Sequence, residues 1–427
     1  MVVAAGIGIG IHRAFPSGEV QFSWPPEPCA VQGVNARCGT FIVPENRAKP
    51  NGRTIGLHVV VVPAPLETTP RVAVTYLTGG PGGAATEEWF AQGFQSSALN
   101  TFRDLLLVDQ RGTGRSNPHD GDVTQYGSRT AMDDLDAVRA ALGYRQLDVF
   151  GSSYGATAAQ VYLTLHPSSV HTLILWAGTA IDVPIFDRWA VNAQRALDQL
   201  AKLCNSDPSC RKAFPGWERQ FGELVRAWNA HPGPMTGDEL ASVVHVMLLD
   251  LEKAVSIPLV VSSAAKGDYG PLERAGSGDL HIGDLNVMGS SIWCNEPWVG
   301  LEAKGPWGTD FDSYTAAKIA DLRQECNSVP KRAEPRPLWS LPVSSRVPVL
   351  AFVGGADPQD PITNLPNLKQ QFPDSRAVIL PHTGHRFYID SCVDQMMADF
   401  VAQGTTKGLD TTRCDGLVVV PPFELTR

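Results

Sequence analysis

Residues 147–165 read LDVFGSSYGATAAQVYLTL, and this stretch decides how the rest of the chain is read. A short β-type run, with Leu147, Val149 and Phe150, enters a Gly-Ser-Ser-Tyr-Gly turn and leaves as Ala-, Gln- and Leu-rich sequence of helical type. Gly151, Ser153 and Gly155 fit the pattern G-x-S-x-G of a nucleophile elbow. So tight a strand-to-helix turn holds its central residue in a strained backbone conformation and puts the hydroxyl in the open. The flanking glycines let strand and helix approach without a Cβ clash. Ser153, which the glycines bracket, is the candidate nucleophile, and Ser152 is not.

Working outward, residues 72–77 form a buried-strand pattern running into Thr78-Gly79-Gly80-Pro81-Gly82-Gly83, and residues 105–108 form a second one ending at Asp109, before Gln-Arg-Gly-Thr-Gly-Arg-Ser. Residues 130–142 carry a helical period, with Ala131, Leu135, Val138 and Leu142 on one face. A further strand is predicted over 170–176. Upstream, 38–43 and 54–62 read as strands joined by a Pro-Asn-Gly turn at 50–52, behind a Pro-rich lead-in. Alternating buried strands and helices call for a mainly parallel sheet covered by helices on both faces.

The next comparable strand is 347–353, after a gap too long for a loop in a compact domain. We read residues 24–180 as the first part of an α/β core, 181–342 as an inserted, mostly helical cap, and 343–427 as the second part. The second part holds a helix near 365–372, a strand at 377–380 and a last helix around 392–401. Trp189, Trp217, Trp228, Trp293, Trp298, Trp307 and Trp339 fall in or beside the cap and are read as its packing.

A serine hydroxyl is a poor nucleophile until a base takes its proton, and that base needs a carboxylate to hold its tautomer. In this kind of fold the chain order is Ser, then acid, then His. Asp357 follows the strand at 347–353, in Gly354-Gly355-Ala356-Asp357-Pro358. His385 follows the next strand, in Pro381-His382-Thr383-Gly384-His385. Both fall at carboxyl ends of parallel strands, where open α/β sheets place their sites. Asp360, three residues on, and His382, nearer its strand, compete for these roles; Asp357 and His385 are preferred. His58, His166, His171 and His245 are read as structural. For a developing oxyanion, the Gly79–Gly82 loop suits presentation of a backbone N–H, and Gly80 and Tyr154 are the candidate donors. That loop lacks a G-K-[ST] ending and a G-x-G-x-x-G helix start, so it is not read as a phosphate cradle.

Composition bounds the remaining choices. Across 427 residues, 44 acidic against 35 Lys and Arg give a formal charge of −9 with no basic block, against nucleic acid or an anionic membrane as partner. Eight cysteines contain no C-x-x-C and no companion histidine cluster, so neither zinc nor any other cofactor is expected. Proximity pairs Cys29 with Cys38, Cys204 with Cys210, Cys294 with Cys326, and Cys392 with Cys414. Disulfides would place the chain in an oxidising, extracytoplasmic compartment. Residues 2–11 are apolar like a signal h-region but lack a basic start, and no stretch approaches the roughly 20 apolar residues of a membrane span.

GGPGG, DQRGTGRS, GSSYG, GGADPQDP and PHTGH, in this order, resemble the proline iminopeptidase and tripeptidyl aminopeptidase branch of the α/β-hydrolases. The likeness is greatest to its secreted, disulfide-bearing members; it runs from about 24 to 414 and is weakest through the cap. It implies an α/β-hydrolase fold and a serine exopeptidase acting at a free N-terminus, with Ser153, Asp357 and His385 as triad. Two departures stand out. Asp360 occupies a position where threonine is usual, and Thr78 one where proline iminopeptidases commonly have histidine, which favours tripeptidyl-type or esterase-like members. An ammonium group is best met by a partly buried carboxylate. Glu296, in Trp-Cys-Asn-Glu-Pro-Trp, resembles the family's Cys-x-acid segment and is the candidate amine anchor; Glu87 and Glu88 are weaker ones. The alternatives are a carboxylesterase using the same residues on small esters and a non-catalytic binding protein on a hydrolase scaffold.

Overall fold

The computed structural model describes residues 24–66, 71–116, 120–276, 285–332, 339, 345–386, 391–416 and 418–426. The apolar run at 2–11 lies outside them. Nine strands make one sheet in the order β1-β2-β3-β5-β4-β6-β7-β8-β9: β1 Glu27–Val31, β2 Val34–Pro44, β3 Thr54–Val62, β4 Val72–Leu77, β5 Asp104–Val108, β6 Gln146–Ser152, β7 Val170–Trp176, β8 Val349–Gly354 and β9 Ser375–Leu380. β1, β2 and β3 run antiparallel to their neighbours, and the rest of the sheet is parallel.

Side chains two apart on these strands go to the same face. Val59, Val61, Leu106, Val149, Leu173 and Ala351 join the core shared with α2 (Ser128–Ala141) and α3 (Tyr154–Leu165). Their neighbours Val60, Val62, Leu107, Phe150, Ile174 and Phe352 face α1 (Ala85–Ala91) and α14 (Ser391–Gln403). Strands covered on both faces read as continuous apolar runs, and that is why β4, β5 and β8 stand out in sequence. Burying one such side chain fully stabilises by about 1.5–3 kcal/mol.

β4 lies between β5 and β6, so the chain turns one way out of β4 and then crosses to its other side. A crevice opens at the carboxyl ends of the strands where the order switches. The loop after β4 is Gly79–Gly83 and the turn after β6 contains Ser153; the topology brings these two motifs face to face.

Two expectations changed. β1 was hidden in the Pro-rich lead-in; it pairs with β2 only at the sheet edge, where Pro28 is tolerated. The helix expected near 365–372 shrinks to α13, Leu368–Gln371, because Pro366 cannot sit in a helix interior.

Between β7 and β8 the described elements are all helical. They are α4 Ile185–Ser206, α5 Pro208–Ala213, α6 Trp217–Ala230, α7 Gly237–Leu248, α8 Leu251–Ala254, α9 Ile257–Ala264, α10 Gly270–Ala275, α11 Val287–Asn295 and α12 Asp312–Glu325, with short 3₁₀ turns. α6 is amphipathic, with Trp217, Phe221, Val225 and Trp228 buried. Disulfides join Cys204 to Cys210 and Cys294 to Cys326 within this insertion, and Cys29 to Cys38 and Cys392 to Cys414 in the core. All eight cysteines are thus paired. Among the described residues no helix is long and apolar enough to cross a membrane.

Candidate active site

Ser153 stands between β6 and α3 with φ 54° and ψ −122°, a conformation that costs a non-glycine residue about 1–3 kcal/mol. The surroundings enforce it. A Cβ on Gly155 would lie 1.8 Å from the carbonyl oxygen of Leu77, and one on Gly151 would lie 2.2 Å from that of Gly155. The Ser153 amide donates to Trp176 O at 2.8 Å, tying the turn to β7.

Two loops from the far side of the sheet reach this hydroxyl. His385 Nε2 is 3.0 Å from Ser153 Oγ, and its Nδ1 is 3.0 Å from Asp357 Oδ2. Asp357 is fully buried, and its Oδ1 accepts the amides of Gln359 and Asp360 at 2.8 and 2.9 Å. Arg195, on α4, donates to Gly355 O and Asp357 O at 2.8 and 2.9 Å and fastens that loop to the insertion. The His385 loop is held the same way: Leu249 O, just past α7, accepts the Arg386 amide at 2.7 Å. Gly384 is needed there because a Cβ would lie 2.3 Å from Leu248 O.

Burial acts to lower the His385 pKa, but the charge and hydrogen bond of Asp357, with the charge of Asp360, outweigh it and raise it to about 8. Asp357 is driven the other way: burial would raise it, and the imidazole holds it below the usual carboxylate range. Asp360 is also buried, with its Oδ2 3.5 Å from His385 Nδ1 and its Oδ1 accepting from the Thr179 hydroxyl. His382, the competing base, has a left-handed backbone (φ 64°) and lines a small cavity with Leu200, Leu248 and Leu251.

The loop after β4 passes directly over the serine. A Cβ on Gly79 would lie 3.1 Å from Ser153 Cβ, and Gly80 holds φ 114°. Asn286 anchors the loop from the insertion, donating to Gly82 O at 2.7 Å while capping α11. No side chain caps the start of α3, so the amide of Tyr154 belongs to the first turn, where helix N–H groups have no intrahelical partner.

Glu296 is engaged by internal partners. It is 4% exposed, and both carboxylate oxygens are occupied. Oε1 accepts the Ser128 amide at 2.7 Å and faces Arg332 at 3.3 Å; Oε2 accepts Ser128 Oγ at 2.7 Å and Trp298 Nε1 at 2.8 Å. Four donors leave no lone pair for a substrate ammonium. Burial pushes its pKa up to about 7 against the pull of Arg332, Ser128 and Trp298. Through Ser128 Oγ, 2.9 Å from Tyr154 OH, this carboxylate braces the residue after the serine. Glu87 and Glu88 stand half-buried in the first turn of α1.

The DQRGTGRS segment proves structural. Arg111 is fully buried and clamps Asp134 with two bonds of 2.6 and 2.9 Å. Asp109 accepts the Thr86 amide and hydroxyl and the Arg115 amide, and burial raises its pKa to about 6. His245, read as structural, is buried on α7 with its ring stacked 4.7 Å from Trp189. Sequence reading missed Arg195, Asn286, Thr179 and Asn364, whose roles depend on contacts across 160 residues or more and carry no local pattern. Among the described residues no group of three or more His, Cys, Asp or Glu could hold a metal ion.

Comparisons with known proteins agree with this architecture. Residues 72–215 match the α/β hydrolase fold family and residues 312–414 match the TAP-like protein family. A proline iminopeptidase of Xylella fastidiosa (strain Temecula1) is 35% identical over 107 residues, covering 24% of this chain and 31% of that protein. One from Neisseria gonorrhoeae is 38% identical over 104 residues, 24% of this chain and 32% of that protein. The matched stretch thus spans about a third of the length of these curated relatives. The crystal structure of a proline iminopeptidase from Mycobacterium smegmatis aligns with 86% of this chain and 98% of that one, at 17% identity and a TM-score of 0.46. The chain has the α/β-hydrolase fold, and parts of it are similar to the TAP-like proteins and to the proline iminopeptidases.

Proposed function

We propose that this protein is a serine aminopeptidase that cleaves an amide bond near the free N-terminus of peptides, working outside the cytoplasm. One observation carries the reading: a single imidazole lies 3.0 Å from a strained, elbow-held hydroxyl on one side and 3.0 Å from a buried carboxylate on the other. Asp357 holds the proton on Nδ1, so Nε2 is free to accept the hydroxyl proton as Ser153 Oγ attacks the carbonyl carbon. The oxyanion forms under the amides of Gly80 and Tyr154. His385 then returns the proton to the leaving amine, and water enters by the same base to release the acyl group. The relatives named proline iminopeptidase and the TAP-like match support peptide as the substrate class. Four disulfides support an oxidising compartment, and the helical insertion serves as the cap.

A second reading is favoured by one observation. With Glu296 saturated, the site loses its proposed amine anchor, and a carboxylesterase using the same three residues needs none. Chromogenic amides of one and of three residues, with free and with acetylated N-termini, separate the two against matching esters. The aminopeptidase reading predicts that acetylation lowers kcat/KM by about 10²-fold, the size of losing one buried charged contact. Cleavage of esters alone, or indifference to acetylation, rejects it. In either case kcat/KM should climb as pH rises through about 8, where His385 loses its second proton.

A further inference from the structure

Behind the imidazole stand two carboxylates. His385 Nδ1 lies 3.0 Å from Asp357 Oδ2 and 3.5 Å from Asp360 Oδ2. Asp360 is 7% exposed and fixed from several sides. Its Oδ1 accepts from the Thr179 hydroxyl, which in turn accepts from Asn364 Nδ2 at 2.8 Å. Asn192 donates to Asn364 Oδ1 at 3.1 Å and to Gln359 O at 2.9 Å. The Asp360 amide donates to Asp357 Oδ1. This framework turns Oδ2 of Asp360 toward the ring nitrogen that Asp357 already serves. A purely structural acceptor for Thr179 would not need a charge; two like charges in one buried site are mutually unfavourable unless a cation or proton sits between them. A proton on Nδ1 would meet that need.

We propose that Asp360 is a second acid for His385: a positioning residue that shares the Nδ1 proton with Asp357 and takes it over when the Asp357 carboxylate is removed. The inference rests on the hydrolase reading of Ser153 and His385. Among the described residues, other charged or titratable groups around the ring are few. Arg386 is on its own loop and opposes protonation, and His245 of α7 lies within electrostatic reach, with Lys318 of α12 acting on His245. Arg195 of α4 holds the carbonyl of Asp357, not its carboxylate.

The test uses the rate at which a fluorophosphonate labels Ser153, located by peptide mass, because it needs no knowledge of the natural substrate. Ser153 Oγ attacks phosphorus, fluoride leaves, and the hydroxyl proton passes to Nε2. Removing the only acid behind a catalytic histidine costs about 10⁴-fold. Here Asp357→Ala should cost about 10²-fold or less, and Asp357→Ala combined with Asp360→Asn should restore the full loss of about 10⁴. Asp360→Asn alone should label within a few-fold of wild type at pH 9, while the midpoint of the acid limb falls by roughly one unit, as expected when one nearby negative charge is lost. Asp357→Ser, which puts no amide donor against Nδ1, replaces Asp357→Ala if the latter does not melt cooperatively. Equal rates for the single and double variants, or an unmoved acid limb in Asp360→Asn, overturn the inference and leave the hydrolase intact. Failure of the wild type to label at Ser153 overturns the hydrolase reading and this inference together.

Discussion

The rim of the parallel sheet and the helical insertion between β7 and β8 solve the same problem by different means. At the rim, geometry is set by backbone against backbone: Gly155 has room for a hydrogen and nothing larger beside Leu77 O, and Ser153 is held at positive φ by its neighbours. In the insertion, geometry is set by side-chain bulk and cross-links. Phe186, Trp189 and Trp293 pack ring to ring, α6 buries one apolar face, and two disulfides fasten the segment. Main-chain contact tolerates almost no change, whereas aromatic packing can be rearranged at modest cost. The two regions meet through a few polar bolts: Arg195 to the Asp357 loop, Leu249 O to the His385 loop, and Asn286 to the glycine loop. The insertion therefore holds three of the loops around Ser153.

The contrast can be broken by substitution. Gly155→Val puts carbon atoms into the carbonyl of Leu77 and should destabilise by more than about 4 kcal/mol, the range reserved for strain and overpacking at special backbone sites. A variant with a melting temperature within a few degrees of wild type would show that the rim is not rigid. Next in size comes the cross-linking of the insertion. Loop-closure entropy gives about 3.7 kcal/mol for the 32-residue span closed by Cys294 and Cys326, against about 2.2 kcal/mol for the 6-residue span of Cys204 and Cys210. Paired Ser variants of each bridge, compared by urea denaturation, should rank in that order; the reverse order would place the stabilisation in local packing. Smaller again is Glu296→Gln. It leaves a buried donor facing Trp298 or Arg332 and should cost about 2 kcal/mol, with KM for free-amine substrates changed by less than about threefold, a saturated carboxylate having no free lone pair to lose. A large KM change confined to free-amine substrates would return Glu296 to the role of anchor.

The carboxylate of Glu296 sharpens the comparison through pH. Its folded pKa, near 7, lies above the unfolded value. The stability it adds relative to Glu296→Gln is greatest at acid pH and is lost as pH rises through about 7. His385 follows the same sign, its folded value of about 8 lying above that of a free imidazole. Its contribution is full below pH 6.5 and disappears above 8. Melting the wild type and Glu296→Gln from pH 4 to 9 isolates the Glu296 component, since the His385, Asp109 and Asp360 components persist in the variant.

Much of the sheet was legible because each buried strand is a contiguous apolar run, and β4, β5 and β7 were bounded to within a residue or so. The elbow was legible because five adjacent residues carry all of its steric demand. Asp357 and His385 were picked out by their position at strand ends, and the structure brings them to Ser153. The partners of Glu296 were not legible, because Trp-Cys-Asn-Glu-Pro-Trp states the neighbours along the chain and is silent about Ser128 and Arg332, which arrive from 168 and 36 residues away. The same holds for Asp360: Thr179, its partner, is 181 residues distant.

By itself the sequence determined where the chain must be extended, where it must turn sharply, and which three side chains end up at one edge of the sheet. These are properties of contiguous residues, set by side-chain period and by glycines where a Cβ cannot fit. Only the tertiary structure decided which carboxylates remain open to chemistry and which are consumed as internal acceptors. That outcome depends on how many donors converge on each oxygen from distant segments, and no local pattern encodes that number.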